Sequence, residues 1–360
     1  MACPILFSRV SLGGFSSFHR HRTSQLKELS KGNTKASAFA KHLSIDYSSS
    51  FLGDDPAKVL SSLEKVMLKH LKSAIRSFRA IASMSWVLPE RTSKYCILNE
   101  RFFRWNIGQY DPSWVTDTII NELAAIPTLR DINLNYLKDS SHIGNLDAFS
   151  NLRKICVRTA GCGPDELILE LGKLLAHCPG LTDLDIFIEK ESEDSMSQFF
   201  QTGIPHSLRH LTMNRLKTSD CSKLAIGNLR SLQSLHIYRF AEPTIWDILR
   251  KEGIFVQNLS TDASDILTPD PFFCYLSSFQ GLRKFSIISS LLRHIPILQV
   301  MVAYHADSLT ELNMLQRPSP LGNPMSDDFI SIITSFKNLQ YFGLELCAFN
   351  YESIVVSVIL

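Results

Sequence analysis

A Leu preceded by a small or turn-forming residue recurs eight times in this chain, and each time it opens an L-x-x-L-x-L-like run. The openings are Thr128-Leu129, Asn151-Leu152, Gly180-Leu181, Ser207-Leu208, Ser231-Leu232, Gly281-Leu282, Ser308-Leu309 and Asn338-Leu339. A weaker ninth start, at Val256 with Leu259, fills the one gap, so successive starts lie 23, 29, 27, 24, 24, 26, 27 and 30 residues apart. A repeat on this scale predicts a solenoid. Each unit has an apolar side that it cannot bury alone, and stacking on its neighbours buries it.

The residues between the apolar positions of the runs are Asn133, Cys156, Asp185, Thr212, His236, Ser260, Ser286, Asn313 and Gly343. None is a large aliphatic or aromatic, although 45% of the chain is hydrophobic. Alternate side chains of a strand face opposite sides of a sheet. The column therefore predicts one open face of a parallel sheet, with the apolar residues turned into a core. The segments ahead of the strands have helical spacing. Ile119, Ile120, Leu123 and Ile126 run up to Pro127, and Leu171, Leu174, Leu175 and Cys178 run up to Pro179-Gly180. Phe272, Phe273, Leu276 and Phe279 repeat the texture, as do Phe329, Ile332, Ile333 and Phe336. Each unit reads as strand, loop, helix and tight turn.

Over most of residues 115–347 these units resemble leucine-rich repeats, whose length is about 20 to 29 residues. The stretches His177-Cys178-Pro179-Gly180-Leu181-Thr182-Asp183-Leu184-Asp185-Ile186 and Leu344-Glu345-Leu346-Cys347 resemble the cysteine-containing subtype found beside F-box motifs. The irregular repeat length is similar to that of large fungal F-box-like families. The resemblance implies an α/β fold, a leucine-rich-repeat solenoid curved as a horseshoe, with parallel strands on the concave face and helices on the convex one. It also implies a function. In that group the F-box recruits a ubiquitin-ligase scaffold through its adaptor, and the repeats hold the substrate. The chain departs from the pattern in two places. Leu88-Pro89-Glu90 has the look of an F-box opening, but Arg91-Thr92-Ser93-Lys94-Tyr95 lacks the apolar helix that must follow. The turn position that usually carries Asn or Cys holds Leu137, Ala160, Glu189, Leu216, Phe240 and Arg317, so apolar packing is expected to hold the turns in place of an asparagine ladder.

Three regions follow from the pattern. Residues 1–35 carry Arg9, Arg20, Arg22 and Lys27 with no acid before Glu28, and read as a disordered leader or a transit segment. Residues 36–114 read as irregular repeats. Ala40, Leu43 and Ile45 suggest one strand and Ile81, Met84 and Trp86 another. Between them Asp54 or Asp55 caps a helix with Pro56 in its first turn and a stripe of Val59, Leu60, Leu63, Val66, Met67 and Leu71. Residues 86–114, with Phe102, Phe103, Trp105, Tyr110 and Trp114, read as an aromatic insertion. Residues 115–360 form the array, whose end Val355-Val356-Ser357-Val358-Ile359-Leu360 looks apolar and uncapped.

The chemistry expected is recognition, with no catalysis and no cofactor. Lys plus Arg number 37 against 35 Asp plus Glu, a net charge of +2 that offers no field for nucleic acid or an anionic membrane. The eight Cys form no C-x-x-C pair, and no apolar run approaches the ~20 residues of a membrane span. With no secretory signal, a cytoplasmic or nuclear protein with reduced thiols is expected, mitochondrial import being the alternative that the basic leader offers. Gly161-Cys162-Gly163-Pro164 reads as a loop, and the acidic residues of 189–194 as a solvated one. His206 and His210 flank a turn and share no helical face, which argues against a zinc site. The expected recognition patch is Asp183, Asp185 and Phe187 beside His210, Thr212 and Asn214, then Ser234, His236 and Tyr238. It would meet a protein partner on the concave face.

Overall fold

The computed structural model describes residues 9–12, 19–32, 34, 42–46, 56–78, 83–87, 105–107, 113–136, 144–159, 164–188, 205–214, 226–238, 243–262, 270–289, 294–316, 327–347 and 353–359. The fold is α/β, with parallel strands alternating with helices. It divides into two compact units, Met1–Lys190 and Glu191–Leu360.

Unit 1 begins in the basic leader. Strand β1 (Arg9–Leu12) pairs in parallel with β2 (His42–Asp46), which pairs with β3 (Ser83–Val87). Helix α1 (His19–Ser30) buries Leu26 and Leu29 and packs against α2 (Pro56–Ser77). Within the expected leader, residues 9–12 and 19–30 form β1 and α1, and two leucines one turn apart seat a short, otherwise polar helix. Within the expected aromatic insertion, β4 (Trp105–Ile107) pairs with β5 (Asp131–Tyr136). Helix α3 (Ser113–Ala124) buries Ile119, Ile120 and Leu123, and its buried Glu122 meets Arg76 and Lys72 of α2. Strands β5, β6 (Lys154–Thr159) and β7 (Asp183–Ile188) follow in parallel register, with α4 (Pro164–His177) between β6 and β7.

Unit 2 continues with β8 (His210–Asn214), β9 (Ser234–Tyr238), β10 (Asn258–Asp262), β11 (Lys284–Ser289), β12 (Glu311–Gln316) and β13 (Tyr341–Cys347), each parallel to the next. Helices α5 (Pro243–Lys251), α6 (Asp270–Ser277), α7 (His294–His305) and α8 (Asp327–Thr334) alternate with the later strands. Beyond β13 the expected bare end carries β14 (Ser353–Ile359), which pairs antiparallel with β13.

The strand-opening residues Leu129, Leu152, Leu181, Leu208, Leu232, Val256, Leu282, Leu309 and Leu339 are all buried, none more than 7% exposed. The turns beside them share one hydrogen-bond device. The carbonyl of the residue just before a strand accepts the N–H groups of two consecutive residues in the next repeat. In unit 1, Arg130 O accepts from Arg153 N and Lys154 N, and Arg153 O from Thr182 N and Asp183 N. In unit 2, Arg209, Gln233, Gln257, Arg283 and Thr310 each offer their carbonyl in the same way. Thr182 and Thr310 add hydroxyl bonds of 3.0 Å to the same carbonyls. Backbone bonds therefore tie the turns together. The expected asparagine-ladder positions lie outside the described residues.

The weak ninth repeat has its own remedy. Gly253 ends α5 at φ +66, and Ile254 N then bonds back to Leu249 O while Gly253 N bonds to Arg250 O, the pairing that closes a helix with a left-handed glycine. Tyr275 of the next helix donates its hydroxyl to Ile254 O at 3.1 Å and accepts from Val256 N at 3.5 Å. Burial pushes the Tyr275 phenol well above its ordinary range, so it stays a donor. Tyr275→Phe should cost about 1–3 kcal/mol, since the Ile254 carbonyl loses its buried donor. Urea unfolding of the two proteins measures it.

Candidate functional site: the polar face of the strands

Period-two alternation sorts each strand into two faces. In unit 2 the core face carries Leu211, Leu235, Leu259, Phe285, Leu312 and Phe342 in one register row and Met213, Ile237, Thr261, Ile287, Met314 and Leu344 in another. All twelve are buried. The opposite face carries rows of different chemistry. One reads His210, Ser234, Asn258, Lys284, Glu311 and Tyr341, and the next Thr212, His236, Ser260, Ser286, Asn313 and Gly343. Neighbouring strands set these residues side by side at the separation where cross-strand pairs interact.

Of the expected patch, His210, Thr212, Asn214, His236 and Tyr238 fall on this face of unit 2, all half-buried. A chain of polar contacts runs through it. Ser234 Oγ lies 2.8 Å from His236 Nε2, His236 Nδ1 lies 3.4 Å from the Tyr238 hydroxyl, and that hydroxyl lies 2.9 Å from Ser260 Oγ on β10. Both imidazole nitrogens are thus engaged, which holds the His236 ring in one orientation. Asn214, in register with Tyr238, keeps a buried Oδ1 without a hydrogen-bond partner.

Ser234 of the patch shares the unit 2 face and is buried, and the remaining three residues, Asp183, Asp185 and Phe187, lie half-buried on the polar face of β7 in unit 1. Their register rows are Asp131, Lys154 and Asp183; Asn133, Cys156 and Asp185; Asn135, Arg158 and Phe187. Lys154 Nζ lies 3.7 Å from Asp185 Oδ2, and the Arg158 guanidinium lies 4.8 Å from the centre of the Phe187 ring, over its face. Desolvation raises the pKa of Asp131, with Lys154 opposing and Asp183 adding to the rise. Burial pushes the Cys156 thiol up to about 11, with the charge of Asp185 adding to the effect, so Cys156 is no nucleophile at neutral pH. Lys154 and Arg158 are the functional candidates that the sequence reading passed over. They share the parity of Cys156, and that is the signal that marks them.

The expected solvent-facing column is closer-packed than its parity suggests. Asn133, Cys156, Ser260 and Gly343 are buried, while Asp185, Thr212, His236, Ser286 and Asn313 are half-buried. Asn313 and Tyr341 occupy the space that a Cβ on Gly343 would need.

The other sequence-level candidates fall partly within the described residues and partly outside them. His206 sits in a turn and His210 opens β8. Among the described residues, no group of three or more His, Cys, Asp or Glu is placed to hold a metal, and no helix is long and apolar enough to cross a membrane. The glycine-rich 161–163 stretch, the acidic 189–194 stretch, the F-box-like residues 88–95 and the aromatics Phe102, Phe103 and Tyr110 lie outside the described residues. The chain matches no protein-family model and no curated protein, so its function has to be argued from these faces.

Proposed function

We propose that both units are stretches of a leucine-rich-repeat array, a curved horseshoe with the parallel strands on its concave face and the helices on its convex one, and that the chain is a non-enzymatic protein-binding scaffold. The observation that carries this reading is the face of β8 to β13 whose two rows, His210 to Tyr341 and Thr212 to Gly343, hold no aliphatic side chain, while the next row turns apolar only at Ile288 and Leu315. Side chains fixed to a hydrogen-bonded frame lose little freedom on binding, which favours such a face as a docking surface. His210, Thr212, Asn214, His236 and Tyr238 are the proposed contacts of the unit 2 face, and Asp183, Asp185 and Phe187 are those that the polar face of β7 offers by itself in unit 1. Tyr238 and Phe187 supply aromatic anchors of the kind that dominate interface energetics.

The narrower form of the proposal makes the partner a substrate for ubiquitin ligation, with the ligase adaptor reached through another part of the assembly. The cysteine-containing repeat supports it. Cys178, buried and free, donates its thiol to Phe149 O in the preceding repeat at 3.5 Å, a use of cysteine that suits the reducing cytoplasm or nucleus.

Replacing Asp185, His236 and Tyr238 together with Ala should abolish partner capture by the tagged chain and leave its circular dichroism spectrum unchanged. Undiminished capture would move the contact away from this face, and a chain that reproducibly captures nothing would favour a repeat protein without a dedicated ligand. Absence of adaptor and cullin from the captured proteins would remove the ubiquitin arm alone.

A further inference from the structure

We propose that the turn edge of unit 2 carries a second binding site, which takes an aromatic side chain and an adjacent carboxylate from one segment of a partner protein. The site lies among the turns that precede β10, β11 and β12, off the polar strand face, and it stands or falls independently of that face. A cavity of about 550 Å³ opens there, lined by Phe255, Gln257, Phe279, Gln280, Arg283 and Asp307 among others. That volume falls in the range of small-ligand sites, and the cavity is open to solvent, so a segment of chain can reach it.

Phe255 is the apolar half of the site. Its neighbours Ile254 and Val256 are each 1% exposed and point into the core, so alternation turns Phe255 outward, where it stays 41% exposed. It is nevertheless fixed in place. Its ring stacks on Phe279 at 5.0 Å and 15°, and Phe279 packs in turn on Tyr275 at 5.2 Å and on His305 at 4.9 Å. An exposed ring pinned from behind can extend its stack by one more aromatic at small entropic cost.

Arg283 is the polar half. Its backbone belongs to the turn ladder, with Arg283 N bonded to Gln257 O at 2.7 Å and Arg283 O accepting from Thr310 N at 2.8 Å. Its guanidinium has no hydrogen bond or ion pair among the described residues. The neighbouring charges do. Asp307 pairs with Lys337 at 2.8 Å, and Lys284 with Glu311 at 2.6 Å. Among the described residues, the one uncompensated charge on the cavity wall is therefore a guanidinium, whose planar donors fit a carboxylate in a bidentate pair. Gln257 and Gln280, both exposed, offer amide donors and acceptors to the backbone that would link the two groups. A ring to extend the stack and a carboxylate beside it describe a Glu-Trp or Asp-Phe type of sequence.

The probe is a fluorescein-labelled peptide, Gly-Ser-Glu-Trp-Ser-Gly, titrated with the full chain and followed by fluorescence anisotropy. Saturable binding is expected. It should weaken about tenfold or more, equivalent to about 1.4 kcal/mol, when Arg283→Glu or Phe255→Ser is introduced, or when the peptide's Glu becomes Gln or its Trp becomes Ala. The triple replacement of Asp185, His236 and Tyr238 should leave it unchanged. Arg283 and Phe255 are both exposed, and matching urea midpoints establish that the variants are folded. The proposal is overturned by no saturable binding up to about 1 mM, by equal binding of the Gln-Trp peptide, by indifference to Arg283→Glu, or by displacement with AMP as effective as with unlabelled peptide.

Discussion

Trp246→Ala should lower the stability of the chain by about 3–5 kcal/mol, the range for emptying a large buried aromatic site. Trp246 lies on α5, is 1% exposed, and packs against Phe272 at 4.8 Å and Tyr275 at 5.6 Å on α6. Its indole N–H has no hydrogen-bond partner, so packing alone accounts for what it contributes. Trp246→Phe is the informative companion. It keeps a ring in the site and removes the unpartnered donor, and it should cost no more than about 1.5 kcal/mol. In the proposed repeat array each repeat touches only its neighbours, so a defect between α5 and α6 weakens one contact of that array directly. Urea unfolding read by circular dichroism, with both variants beside the parent, measures the pair. Equal losses for Ala and Phe would show that the indole's shape matters and that the aromatic cluster is not the source of the stability.

The repeat was legible because one constraint serves it eight times. A tight turn must admit a Leu that points into the core, and the turn and the Leu are both visible as residue types. The place where the pattern weakens is also the place where the structure substitutes something else. At Val256 the backbone is held by the Tyr275 hydroxyl, which belongs to the following helix. No local signal could connect residues 254 and 275. The basic leader was opaque for a related reason. Charge and serine dominate its composition, and the two residues that seat α1, Leu26 and Leu29, are too few to show a period.

The polar face was legible in parity and less so in depth. Alternation told which residues share a face, since a one-residue slip would reverse every side chain. It could not tell that Asn133, Cys156, Ser260 and Gly343 are buried, because burial of a small residue depends on the side chains of adjacent strands. The turn-edge cavity was invisible. Phe255 belongs to no periodic segment, and what fixes its ring is Phe279, one repeat later in the chain. Sites of this kind arise between repeats, and single-repeat reading misses them.

His305 is expected to make stability depend on pH. The ring is 1% exposed at the end of α7, donates Nε2–H to Leu276 O of α6 at 2.9 Å, and leaves Nδ1 without a partner. Desolvation lowers its pKa from 6.5, and the bond to Leu276 O opposes the shift only in part. The native protein therefore holds His305 neutral where the unfolded chain would already bind a proton. The stabilising effect is complete above the unfolded value near 6.5 and is lost as pH falls below it toward the lower native value. His305→Gln retains an N–H donor for Leu276 O and removes the titration. Between about pH 7.5 and pH 5.5 the parent should lose more stability than the Gln variant, by at most about 1.4 kcal/mol per pH unit for one proton. His305→Ala should cost about 2–4 kcal/mol at neutral pH, from the lost ring contact with Phe279 and the stranded Leu276 carbonyl. Because Phe279 also supports Phe255, the Ala variant should weaken peptide binding at the turn edge more than the Gln variant does. Urea midpoints across the pH range, set beside the anisotropy titration, test the coupling. Parallel pH profiles for parent and Gln variant would mean that His305 titrates alike in the folded and unfolded chains.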